Sequence, residues 1–279
     1  MTPRTIRVAH SPDSDDAFMF YALAEGKIDT GELRYEHELQ DIETLNQRAL
    51  RGELEVTAVS IHAYAYIADR YALLPHGSSM GDRYGPRLVA REPLARADVR
   101  GKRVAIPGPL TTAYLALKLY EPGFVAVPTP FDAIEGAVER GEVDLGLLIH
   151  EGQLTFKDRG LHLVADLGEW WFGETGLPLP LGGNVVRKDL GEELTRTVSR
   201  HLRASIAYGL EHRASALDHA MRYARDLDRG RADTFVGMYV NEWTLDYGER
   251  GRRAVRELLD RGVREGVIAR PVRVEFVED

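Results

Sequence analysis

Residues 145–149 read Leu-Gly-Leu-Leu-Ile, an unbroken apolar run of the kind that fills the middle of a sheet, and the run stops at a histidine and a carboxylate, His150 and Glu151. Upstream of it, Ile134, Ala137 and Val138 share one face of a helical pattern that ends at an Arg-Gly-Glu step over 140–142. The same order occurs earlier in the chain. Ile42, Leu45 and Ala49 fall on one helical face, an Arg-Gly-Glu step follows at 51–53, and an apolar strand pattern ends at Ser60. A second pair of segments also matches. Residues 7–23 and 103–119 both begin Arg-Val-Ala, pass through a polar bend containing proline, and continue as an apolar helix with Ala followed by an aromatic residue.

Two matched pairs in the same order predict two units of like topology, each a βα…αβ arrangement around a small parallel sheet. Only two copies occur, which argues against a solenoid. After Leu181 the pattern changes to a strand and turn, and then to long helical stretches reaching about Gly266. In one of these, Val255, Leu258 and Leu259 lie on one side of an otherwise charged helix. The fold class predicted is α/β with two lobes, each a mainly parallel sheet flanked by helices, and a cleft between them. Lobe I takes 1–89 and the returning segment 184–279, lobe II is inserted as 90–183, and the stretches 86–91 and 183–188 make the crossings.

In parallel sheets ligands bind beyond the carboxyl ends of the strands, where helix N-termini leave backbone N–H groups unpaired. Four stretches end at such positions, at 11–16, 58–60, 107–113 and 147–152. His150 is the candidate general base or acid, because an imidazole exchanges a proton near neutral pH, and Glu151 is a candidate to orient it or stabilise its charge. Neighbours on a strand point in opposite directions, so Glu151 alternatively serves another purpose or faces solvent. A His-Glu pair alone suits a hydrogen-bonded residue at the rim better than a catalytic one. Thr111 and Thr112 open an apolar helix, which suits either simple capping or the capture of a carboxylate or phosphate, and Ser60 invites the same two readings. Asp13, Asp15 and Asp16 suit a helix start, yet together they repel an anionic ligand unless they point away or bind its hydroxyls. Trp170, Trp171, Tyr64 and Tyr66 read as core or cleft wall.

Composition narrows the function. The chain has 279 residues and a net charge of −8 with no basic stripe, so nucleic acid is not an expected partner. It has no cysteine, which excludes disulfides and thiolate chemistry, and no apolar run long enough for a membrane span or an export signal, so a cytoplasmic location is expected. Dinucleotide, P-loop, zincin and nucleophile-elbow motifs are missing, and nothing calls for a metal.

The chain resembles the menaquinone-biosynthesis enzymes of the futalosine pathway, on their 1,4-dihydroxy-6-naphthoate synthase branch. The resemblance is carried by SPDSDDAFMFYAL, DIETLN, LTTAYLALKLY, GEVDLGLLIHEGQLTF, DLGEWW, TGLPLPLGG and YVNEWTLDYGE, and so covers nearly the whole chain. It implies the type II periplasmic-binding-protein fold used as an enzyme, and a cofactor-free conversion of a small carboxylate substrate, cyclic dehypoxanthinyl futalosine, with loss of a sugar-derived fragment. On the same basis His150 is the proton acceptor, and Ala58, Val59, Ser60, Thr112 and Ala113 fall in the substrate-contact segments. Two departures stand out. The first loop reads Ser-Pro-Asp-Ser-Asp-Asp where the family commonly has Ser-Pro-Cys-Pro-Asn-Asp, so only Asp16 keeps the final acidic position, and Ala58 stands where a Lys is expected. Added carboxylates and a missing ammonium weaken the hold on an anionic ligand if they line the cleft. A solute-binding protein for a small anion and the sister chorismate dehydratase activity are the alternative readings.

Overall fold

The computed structural model describes residues 4–224 and 227–278. The first half-copy forms β1 (Arg4–His10), α1 (Ser14–Ala24), β2 (Leu33–Leu39), α2 (Ile42–Leu50), β3 (Val56–Ser60) and the single turn α3 (Ile61–Tyr64), followed by short strands β4 (Tyr71–Leu73) and β5 (Ser79–Gly81). The second forms β6 (Arg87–Ala90), β7 (Arg103–Ile106), α4 (Thr112–Tyr120), β8 (Val125–Pro128), α5 (Ile134–Glu139) and β9 (Leu145–Leu148). Then come α6 (Gly152–Thr155), β10 (His162–Asp166), α7 (Leu167–Thr175) and β11 (Leu179–Arg187). The remainder is helical: α8 (Glu192–Glu211), α9 (Arg213–Ala220), α10 (Arg229–Tyr239), α11 (Glu242–Leu245) and α12 (Gly248–Arg264).

These strands build two sheets. One runs β2-β1-β3-β11-β4 with β5 added on β11, and the other runs β10-β6-β9-β7-β8. The predicted half-copies supply the parallel blocks, β2-β1-β3 in one sheet and β8-β7-β9 in the other. The strands that carry the chain between sheets pair antiparallel, β11 against β3 and β6 against β9, so both sheets are mixed. The chain leaves the first sheet between Gly81 and Arg87 and returns between Asp166 and Leu179. The segment 86–91, expected to straddle the boundary, contributes its strand to the second sheet alone.

Local sequence explains the elements that position the site. Asp41 caps α2 by accepting from the Thr44 N–H at 3.0 Å. Gly146 interrupts the apolar run of β9 because α5 lies directly on it: a Cβ there would sit 2.7 Å from Ile134 Cγ2 and 2.8 Å from Val138 Cγ2. In α12, Val255, Leu258 and Leu259 are buried while Arg253, Arg256 and Asp260 are exposed. Each of those apolar side chains contributes about 1.5–3 kcal/mol relative to an exposed one. Trp171 is fully buried and donates its indole N–H to Pro178 O, and Tyr64 is fully buried as well, so both are core residues.

A candidate active site between the two sheets

The carboxyl ends of β1, β3, β7 and β9 face a cleft of about 720 Å³, part of it open to solvent. Asp16, Ala58, Val59, Ser60, Thr111, Thr112, Ala113 and His150 all line it, and Glu151 does not. Among the described residues no Lys or Arg lines this cleft.

His150 sits where β9 has already ended at Leu148, and its backbone is left-handed with φ of 55°. For a residue with a side chain this conformation costs about 1–2 kcal/mol. The kink breaks strand alternation and turns the ring across the cleft, where its Nδ1 meets Asp13 Oδ2 at 2.9 Å. Phe131 packs edge-on against the ring with centroids 4.8 Å apart. The imidazole is 16% exposed, and its Nε2 has no hydrogen-bond partner among the described residues, so this nitrogen is the one offered to a ligand. Burial pulls the imidazole pKa down, but the charge and hydrogen bond of Asp13, with Glu151 and Asp16 behind it, outweigh burial and hold it above the ordinary 6.5.

Glu151 does not orient the ring, although its charge helps to stabilise the imidazolium. The kink sends Glu151 beneath the cleft, buried, with Ser14 Oγ donating to it at 3.4 Å. Asp13 also departs from expectation. It occupies the N-cap position of α1 but makes no side-chain cap, because its carboxylate turns to His150 instead.

Asp13, Asp15 and Asp16 are all buried, and one oxygen from each lies within 4.8 Å of the others. Among the described residues they form the one group with the spacing to hold a metal ion. Three adjacent buried carboxylates cannot all stay ionised beside a single imidazolium. Burial opposes the ionisation of Asp13, but the charge and hydrogen bond of His150, and then a hydrogen bond with Asp15, bring it below its usual value. Burial and the Asp13 charge drive Asp15 well above the carboxylate range, and drive Asp16 up to about 8 although it accepts the Ser11 N–H at 2.7 Å. The wall therefore favours ionisation of Asp13 beside His150 and shifts Asp15 and Asp16 toward their neutral forms.

The opposite side of the cleft is built from donors. Thr111 Oγ1 accepts from the Tyr114 N–H and donates to Gly108 O, while Thr112 Oγ1 donates to Leu181 O at 2.6 Å and accepts from the His62 N–H at 3.1 Å. Both hydroxyls are thus spent on structure, and what α4 offers a ligand is the N–H groups of Thr112 and Ala113, which have no protein acceptor among the described residues. Ser60 is held by Asn46, whose Oδ1 accepts the Ser60 N–H and whose Nδ2 donates to Ser60 Oγ at 3.1 Å, so the Ser60 hydroxyl proton is left to donate into the cleft. Replacing Thr112 by Val is expected to destabilise the protein by about 1–3 kcal/mol, because the His62 N–H and Leu181 O lose a buried partner, whereas Thr112→Ser changes stability by less than half as much. Urea titrations of the two variants check this.

Sequence reasoning missed several lining residues. Tyr239 comes from α10 and donates to Gln153 Oε1 at 2.7 Å, closing the cleft from the helical tail. Asn184 donates to Gly77 O, and its buried Oδ1 has no partner. Gln153 and Asn46 both lie inside stretches that carried the resemblance, but neither has local patterning that announces a role.

Comparison with known proteins adds the lineage. A family model described as "Menaquinone biosynthesis" matches residues 6–264. A curated Thermus thermophilus protein named "1,4-dihydroxy-6-naphtoate synthase" is 44% identical over 272 residues, covering 98% of this chain and 99% of the relative. A crystal structure of an Archaeoglobus fulgidus protein is 49% identical with a TM-score of 0.91, covering 95% of this chain and 98% of that one. An alkanesulfonate-binding protein from Xanthomonas axonopodis pv. citri, solved bound to MOPS, superposes with a TM-score of 0.71 at 11% identity over 98% of this chain and 97% of that one, which shows a shared fold. A binding-protein scaffold whose cleft carries an imidazole–carboxylate pair, in a chain similar from end to end to a named synthase, is a biosynthetic enzyme: this chain belongs to the menaquinone biosynthesis family and has the periplasmic-binding-protein fold.

Proposed function

We propose that the chain is a cytoplasmic carbon–carbon lyase that converts cyclic dehypoxanthinyl futalosine into 1,4-dihydroxy-6-naphthoate with release of the sugar-derived fragment. The observation that carries this reading is the His150–Asp13 pair at the cleft, which orients an imidazole and leaves Nε2 as its free nitrogen. The end-to-end similarity to a protein named for that product supplies the substrate class.

In this reading the carboxylate of the ligand takes the N–H groups of Thr112 and Ala113 and the hydroxyl of Ser60, which supply hydrogen bonds and the positive end of a helix without a cation. Ala58, in place of a Lys, leaves that task to backbone donors. His150 Nε2 accepts the proton of a hydroxyl on the sugar-derived part, whose oxygen forms the carbonyl of the departing fragment as the C–C bond breaks, and the electron pair of that bond enters the ring system, which becomes aromatic. Asp13 holds the ring in place and stabilises the imidazolium that forms. The lobe built around 90–183 closing on the rest shields the step from water.

The test is direct. Purified protein incubated with cyclic dehypoxanthinyl futalosine is expected to yield 1,4-dihydroxy-6-naphthoate by mass spectrometry. Tight binding with no product would return the protein to the solute-binding class, and conversion of chorismate instead would assign the sister dehydratase activity.

A further inference from the structure

We propose that the Asp13–Asp15–Asp16 wall is a hydroxyl-recognition subsite, in which the Asp15 and Asp16 carboxyls exchange hydrogen bonds with hydroxyls of the ligand. The ligand then lies with its carboxylate at the start of α4 and its hydroxylated fragment against α1. The inference rests on the synthase reading for the identity of that ligand.

The cleft is lined largely by apolar surface, with its polar groups gathered on two different walls. One side presents N–H and O–H donors with no charge, and the other presents three carboxyls whose only cationic partner among the described residues is His150. Asp15 is 8% exposed, and its Oδ1 has no partner among the described residues. Asp13 Oδ1 is likewise without a partner. Leaving a buried polar atom unpaired costs about 1–3 kcal/mol, so these atoms mark where a ligand group completes the site. A carboxylate on the ligand is excluded from that wall by repulsion from Asp13. A hydroxyl fits, because it donates to Asp13 Oδ1 and accepts from a neutral carboxyl in the same geometry. A divalent cation is the competing occupant, since the three oxygens have metal-ligand spacing. Against it, Asp13 Oδ2 is already taken by His150, and Asp16 Oδ2 by the Ser11 N–H.

Asn substitution separates the two occupants, because an amide donates and accepts as a neutral acid does but is a poor ligand for a hard cation. Affinities for cyclic dehypoxanthinyl futalosine and for 1,4-dihydroxy-6-naphthoate, which lacks the sugar-derived fragment, are measured by calorimetry in a His150→Gln background, with EDTA and with added Mg²⁺. Asp15→Ala is expected to weaken binding of the futalosine derivative about tenfold while the naphthoate changes by less than about twofold. Asp15→Asn is expected to recover most of the loss, with no response to Mg²⁺. Asp16→Ala is expected to give the same split and stands in if Asp15→Ala does not fold. Equal weakening of both ligands would overturn the subsite. An Asn variant as defective as the Ala variant, with Mg²⁺ tightening the parent, would assign the wall to a cation instead. Product formation by the unsubstituted protein, measured in parallel, tests the synthase reading separately.

Discussion

Replacing His150 by Gln is expected to lower kcat by about 10²–10⁴-fold, the range that a positioned general base contributes, with the fold intact. The substitution keeps a side chain whose amide can donate to Asp13 but cannot take up a proton. Asp13→Asn is expected to lower kcat by about tenfold to a hundredfold, as the loss of an orienting partner does. The two variants differ in their pH dependence. In the parent, Asp13 outweighs burial and holds His150 above 6.5, so the neutral, proton-accepting ring is populated only as pH rises through that raised value. Activity therefore falls on the acid side of an inflection above 6.5. With Asn at position 13 the pull upward is lost and burial remains, so the inflection moves to lower pH while the plateau drops. A pH profile of kcat for Asp13→Asn that kept the parent's inflection would separate this carboxylate from the mechanism.

Much of the architecture was legible because it is local. The apolar spacing of Ile42, Leu45 and Ala49, and of Ile134, Ala137 and Val138, is a helix pattern whatever the rest of the chain does, and the structure forms α2 and α5 there. The paired segments around 7–23 and 103–119 became β1 with α1 and β7 with α4. Antiparallel pairing of the connecting strands was not visible, because β6 and β11 read as generic apolar strands and only the path of the chain between sheets decides their direction. The strand at 86–91 went to the second sheet for the same reason.

The site was legible by position and illegible by role. His150, Ser60 and the start of α4 were found because strand ends collect at a cleft, which sequence can mark. What each group does there depends on partners far along the chain. The Thr112 hydroxyl is consumed by Leu181, Gln153 is met by Tyr239, and Asp13 gives up its cap for an imidazole 137 positions away. The burial of Glu151 was not legible because the left-handed turn at His150 intervenes, and a non-glycine residue with φ of 55° leaves no signature in the sequence. The charge of the loop at 11–16 was not legible in its letters for a related reason. Ionisation is a property of burial and neighbours, and burial here raises the pKa values of Asp15 and Asp16 while His150 lowers that of Asp13.

That upward shift has a measurable cost to the fold, and Asp16→Asn is expected to raise Tm, by about 2–6 °C at pH 8. In the unfolded chain Asp16 ionises near 3.8, whereas in the folded protein burial and the Asp13 charge push it up to about 8. Between those values the folded state binds a proton that the unfolded state has lost, so stability declines as pH rises through the window and levels off above it. Asparagine has the same shape, still accepts the Ser11 N–H through its carbonyl oxygen, and has nothing to ionise. The Tm gap between variant and parent is therefore expected to be small near pH 5 and to widen steadily to pH 8. A gap that stays constant across this range would mean that Asp16 is already ionised in the folded state, with a cation or another donor satisfying it. An isosteric, more stable alternative lies one amide away, so holding a carboxyl at this point trades stability for something in the cleft. Asp16 lines the cleft with Asp13 and Asp15 and lies within electrostatic reach of His150, so the proposed ligand contacts are where that benefit is expected.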